Sequence, residues 1–116
     1  MDIEFYESAG GRKYVEEYLD ELPVKTRVKI IKTLELIEAE GVQSLRQLGK
    51  FTKMAGSAYD LYEIRFYINK MWFRIFCILY KSKCWLLHIF DKHSNETPSR
   101  EIKTAESRAA EIINNH

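Results

Sequence analysis

Two cysteines, three histidines, two prolines and no long apolar run mark what this 116-residue chain lacks. Cys77 and Cys84 lie inside apolar stretches and form no CxxC pair, which favours two buried, reduced thiols. His88, His93 and His116 do not fall at metal-ligand spacings, so no metal centre or other cofactor is expected. No eighteen-residue apolar stretch is present, which excludes a membrane-spanning helix of the usual kind. The opening Met1-Asp2-Ile3-Glu4 lacks the basic and apolar regions of a secretion signal, and a cytoplasmic location is expected. There is no linker, repeat or low-complexity segment. With 46% apolar residues, the chain reads as one domain over 1–116.

The net charge is only +1, which speaks weakly against a nucleic-acid partner. Its distribution says more. Residues 2–21 hold seven acids and two bases, residues 24–53 seven bases and three acids, and residues 60–93 six bases and three acids. The middle of the chain is basic. Solvated helix faces account for much of the excess over 24–53.

Ile3 to Tyr6 is a short strand candidate. Arg12 to Leu19 places Tyr14, Val15, Tyr18, Leu19 and Leu22 on one helical face. Pro23 suits the first turn of a second helix, in which Val24, Val28, Ile31, Leu34 and Ile37 repeat at three and four, with Gly41 as a stop. Lys25, Lys29 and Lys32 fall on its wet face. Over 42–58, Leu45 and Leu48 suit a further helical turn, and Lys50, Lys53, Gly49, Gly56 and Ser57 suit a basic loop. Tyr59 to Ile68, Met71 to Tyr80 and Cys84 to Phe90 are rich in aromatic and branched residues, the pattern of an antiparallel meander. Thr97-Pro98 opens a last helix, Thr97 as cap and Pro98 at its first position, with Ile102, Ala105, Ala109 and Ile112 buried. The order is β-α-α-β-β-β-α, an α+β domain with helices packed on an antiparallel sheet.

A two-residue loop at Asn69-Lys70 pairs Ile68 with Met71, and so Tyr67 with Trp72, Arg65 with Arg74 and Glu63 with Phe76. Two arginines then face each other in mid-sheet, an arrangement that costs stability unless an anion joins it. Two readings stand level. Glu63, diagonal to Arg74, makes a ladder that only staples the sheet, or the pair is a cradle for a phosphate, whose geometry suits the bidentate guanidinium. A three-residue loop, Lys81-Ser82-Lys83, pairs Tyr80 with Cys84 and brings Phe90 beside Arg74 and Lys92 beside Trp72. A loop one residue shorter or longer turns Lys92 away.

Three segments carry a resemblance: Leu61-Tyr62-Glu63-Ile64-Arg65, then Phe73-Arg74-Ile75-Phe76, then Leu86-Leu87-His88-Ile89-Phe90 through Lys92 to Thr97-Pro98 and Glu101. In this order and spacing they resemble the RelE/ParE toxin superfamily, most of all its HigB-like, phage-associated branch. The branch usually carries two adjacent lysines after the last strand's terminal aromatic. Here Asp91-Lys92-His93 stands in their place.

The resemblance implies a toxin of a type II toxin–antitoxin system, a metal-independent endoribonuclease that cuts mRNA on the ribosome with the RNA 2′-hydroxyl as nucleophile. It implies a helix-turn-helix antitoxin as partner, in a hetero-oligomer. Arg65 and Arg74 are the candidates for holding the phosphorane, and Lys92 and His93 for proton transfer. Tyr67 and Trp72 share the arginine face and either stack on a base or form a plain cross-strand pair. Lys50 and Lys53 are candidates for RNA or ribosome contact. Tyr62 points to the other face and reads as core. His88 reads as a packed, hydrogen-bonded histidine. Two other functions stay open: a ParE-like gyrase inhibitor that cuts nothing, and an inactive regulatory protein that binds a partner and operator DNA.

Overall fold

The computed structural model describes residues 1–92 and 98–116. In chain order the elements are β1 (Asp2–Phe5), α1 (Tyr14–Asp20), α2 (Val24–Glu40), α3 (Gln43–Gln47), β2 (Phe51–Lys53), β3 (Leu61–Ile68), β4 (Met71–Tyr80), β5 (Lys83–Lys92) and α4 (Ser99–Asn115). The strands form one sheet in the order β1-β5-β4-β3-β2. The β2-β3-β4-β5 part is antiparallel, and β1 runs parallel to β5 along the far edge. The expected α+β order is present, with α3 and β2 added in the segment that the sequence left as a helical turn and a loop.

The central strands are apolar at nearly every position because both of their faces are covered. Ile64, Phe66, Phe73, Ile75, Leu86 and Ile89 pack with Val15 and Leu19 of α1 and Ile30, Leu34 and Ile37 of α2. The opposite face, with Phe76, Ile78, Leu87 and Phe90, packs under Ala105, Ala109 and Ile112 of α4. The small residues of α4 let its backbone approach the sheet. Both cysteines are buried and unbridged on the α1–α2 side.

The α2 stripe differs from its expected face. Thr26, Ile30, Leu34 and Ile37 are the buried positions, while Val24 and Val28 are 63% and 41% exposed. Both sets repeat at helical spacing, and only the placement of α2 against the sheet chooses between them. Pro23 and Pro98 sit one position before their helices rather than inside them. Thr97 lies outside the described residues.

The first hairpin has the expected two-residue loop. Asn69 and Lys70 both take positive φ, 52° and 63°, and Ile68 pairs with Met71. The second hairpin is a correction: its loop is Lys81-Ser82, again with φ of 52° and 63°, and Tyr80 pairs with Lys83. Two positive φ values twist a loop to match the strands. Alone, this shorter loop would turn Lys92 away from Trp72. A bulge restores the pairing. Cys77 pairs with Leu86, but Phe76 pairs with His88, so Leu87 is the extra residue. Arg74 therefore faces Phe90 and Trp72 faces Lys92, as a three-residue loop would have set them.

Positive φ at a non-glycine residue carries a steric cost. Lys70→Gly and Ser82→Gly are each expected to stabilise the fold by about 0.5–1 kcal/mol, the relief of that cost less glycine's greater unfolded-state freedom. Urea unfolding at neutral pH checks this, and a lowered midpoint in both variants contradicts it.

Candidate functional site

Strand alternation puts three cross-strand rows on the α4 side of the sheet. They are Glu63–Phe76–His88, then Arg65–Arg74–Phe90, then Tyr67–Trp72–Lys92. Exposure grows along them toward the Asn69-Lys70 loop. Glu63 is fully buried, Arg74 is 2% exposed, and Tyr67 is 59% exposed. The Arg65 side chain stands between, at 40%.

The facing arginines are reconciled by Glu63. Its Oε1 accepts from Arg65 Nε at 2.6 Å and from Arg74 Nη1 at 2.9 Å. The carboxylate binds Arg74 inside the sheet and holds Arg65 at its margin. The stapling ladder is thus present, with two guanidinium groups on one carboxylate oxygen. The two arginines do not share an equally open surface: Arg74 lies below it, and Arg65 reaches solvent. Beside them the Tyr67 and Trp72 rings stand 4.8 Å apart at 45°. The Arg74 guanidinium lies 5.8 Å from the Trp72 ring centre, within cation–π range.

Lys50 and Lys53, expected together in a loop, are separated. The Lys50 carbonyl accepts the Arg65 backbone N–H at 3.0 Å, and Lys50 shares a groove with Arg65. Lys53 lies on β2 opposite Tyr62, three residues farther along β3, and its Nζ meets Asp60 at 3.1 Å. The structure brings Arg65, Arg74, Tyr67, Trp72 and Lys50 together and leaves Lys53 apart. Lys92 joins them by its backbone register. His93 lies outside the described residues. Tyr62 points to the other face and stacks on Phe51 at 4.8 Å.

Lys29, read from the sequence as wet helix surface, borders the same groove. Its spacing in α2 carries no sign of this, since only the position of α2 beside the β3 edge brings it there.

His88 sits between the sheet and α4. Its Nε2 lies 2.9 Å from Glu101 Oε2, and Arg108 Nη1 lies 3.3 Å from Nδ1 while donating to the Leu87 carbonyl at 2.8 Å. A neutral imidazole fits this frame, donating from Nε2 to the carboxylate and accepting at Nδ1. Burial lowers the His88 pKa and Arg108 adds to the effect, against an opposing pull from Glu101. The unfolded chain then takes up this proton at a higher pH than the folded one. His88 contributes stability in full above the ordinary histidine value of about 6.5, and the contribution is lost as pH falls from there toward the lower folded pKa. Urea unfolding at pH 7.5 and 5.5 is expected to show a smaller acid loss in His88→Gln than in the parent. Equal losses contradict the assignment.

The α4 helix is further fixed by Tyr6 donating to Glu111 and by Ser57 Oγ and the Ala58 N–H donating to Glu106 at 3.0 Å. No helix among the described residues is long and apolar enough to cross a membrane. Among these residues no three His, Cys, Asp or Glu side chains gather as a metal-binding group.

A sequence profile described as "Phage derived protein Gp49-like (DUF891)" matches residues 17–110. No curated protein matches the chain significantly. The profile spans α2 through β5, all the arginine-bearing strands, and most of α4. The Gp49-like proteins are a RelE/HigB-like toxin family of type II toxin–antitoxin systems. By this match over most of its length, the chain belongs to the Gp49-like family of phage-derived proteins.

Proposed function

We propose that the protein is the toxin of a HigB-like type II pair, a single-domain ribonuclease that cuts mRNA on the ribosome in the cytoplasm and is held in check by a helix-turn-helix antitoxin. The observation that carries this reading is the Arg65–Glu63–Arg74 cluster, with one guanidinium half open to solvent beside an aromatic pair.

The chemistry follows from what such a face offers. The RNA 2′-hydroxyl attacks the adjacent phosphorus, the P–O5′ bond breaks, and a 2′,3′-cyclic phosphate and a 5′-hydroxyl result. Negative charge builds on the phosphorane oxygens. Arg65 meets it directly, while Arg74, under the surface, positions Arg65 through Glu63 and adds its field. One group must take the 2′-hydroxyl proton and another must deliver one to O5′. Lys92 and His93 are assigned these two transfers jointly. Tyr67 and Trp72 stack on a neighbouring base, Lys50 meets the backbone phosphates, and Lys53, apart from the cluster, is assigned a separate contact with ribosomal RNA.

A gyrase-binding toxin that cuts nothing does not require the Arg65 face. Ribosomes programmed with a defined mRNA, assayed beside a supercoiling reaction, separate the two. The proposal expects mRNA cleavage with supercoiling intact. Inhibited supercoiling with intact mRNA overturns it.

A further inference from the structure

Beside Arg65 the sheet edge opens into a groove. The β2 strand pairs with β3 only at Tyr62, Glu63 and Ile64, and the Arg65 N–H reaches back to the Lys50 carbonyl. Beyond that, among the described residues, no strand lies against the outer edge of β3. Backbone alternation turns the Tyr67 N–H and carbonyl the same way as those of Arg65, out over the groove. The cavity holds about 400 Å³, in the range of small-ligand sites. Phe66, Ile68, Tyr67 and Trp72 line it from the sheet and Thr33 from α2. Among the described residues Lys29, Lys50 and Arg65 are its charged lining, and none of those lining it is acidic.

We infer that this groove receives one nucleotide of single-stranded RNA and sets the sequence preference of the protein. The inference rests on RNA being the substrate. An apolar slot edged by one main-chain donor and one acceptor suits a flat base, which carries both kinds of group on its rim. Three cations suit the phosphates that flank it. Arg65 belongs both to the groove lining and to the guanidinium cluster, so a base seated here places its own phosphate at the reacting position. A purely aliphatic groove would suit a peptide better. Here the aromatic pair and the open main-chain edge favour a base.

The test uses four trinucleotides with 2′-O-methyl groups throughout, differing only in the central base. They cannot be cut, so binding is read without activity. Amide shifts in the labelled protein are expected at Gly49, Lys50, Tyr67 and Trp72, with one base bound at least threefold more tightly than the weakest. Thr33→Trp, which fills the groove from the helix side, is expected to weaken binding tenfold or more. Lys29→Glu, an exposed change on the rim, should weaken it severalfold and serves if the tryptophan variant does not fold. Equal binding of all four probes, shifts confined to other surfaces, or a groove that answers to a polyglutamate peptide instead each overturn the inference. Base-selective binding here by a protein that cuts no RNA keeps the inference and removes the nuclease. RNA cleavage with no response at the groove does the reverse.

Discussion

Arg65→Ala is expected to lower mRNA cleavage by about 10²–10³-fold, the usual effect of losing one donor to a transition state. The Arg65 guanidinium is the cation of the buried cluster that reaches solvent, with 40% of its side chain exposed. It bonds to Glu63 through Nε, so its Nη edge suits a phosphate bidentately. Stability should change little. Half-open ion pairs contribute up to about 1 kcal/mol, and Glu63 keeps its bond to Arg74. Arg65→Lys should recover only part of the rate, since an ammonium supplies charge without the planar fork. Primer extension on programmed ribosomes measures the cleavage, and thermal unfolding shows that the variant is folded. A folded Arg65→Ala protein that cuts at the parent rate contradicts the role.

Arg74→Ala is expected to fail in a different way. Arg74 and Glu63 are buried partners 2.9 Å apart in the middle of the sheet. Removing one member of a buried pair costs up to about 3–5 kcal/mol, and the bond that Glu63 keeps to Arg65 moderates the loss without removing it. A domain with a stability of roughly 5–15 kcal/mol has little room for that. Urea unfolding should show the loss, and a cost below about 1 kcal/mol contradicts the burial of the pair. The double change Glu63→Leu with Arg74→Met replaces both charges by apolar groups and should restore much of the stability. It also separates two roles for Arg74. If Arg74 acts only by positioning Arg65, the folded double variant retains more activity than Arg65→Ala. If Arg74 grips the phosphate itself, the two lose activity alike.

The arginine row was legible because apolar strands flanking Asn69-Lys70 allow few registers, and Arg65 meets Arg74 as the two-residue loop requires. The second hairpin was legible in outcome but not in cause. Lys92 does face Trp72, through a shorter turn and a bulge at Leu87. Nothing local marks that bulge, because Leu86 and Leu87 are both apolar and each finds a core on its own side of the sheet. Strand alternation told which face Arg74 occupies but not how deep it lies, since depth depends on what packs above. The same limit hid the groove. Lys29 reads as outer helix surface until α2 is set against the open edge of β3. Short elements such as β2 carry too few residues to show a period, so Lys53 passed for loop.

The central claim is RNA cleavage by 2′-hydroxyl attack at the Arg65 margin. Its most direct test is the chemistry of the cut ends, read by mass spectrometry on a short mRNA cleaved on ribosomes. The account predicts a 2′,3′-cyclic phosphate on the upstream fragment, a 5′-hydroxyl downstream, and no cut where the upstream nucleotide is 2′-deoxy. A 3′-hydroxyl with a 5′-phosphate, or cleavage that ignores the deoxy substitution, would contradict it.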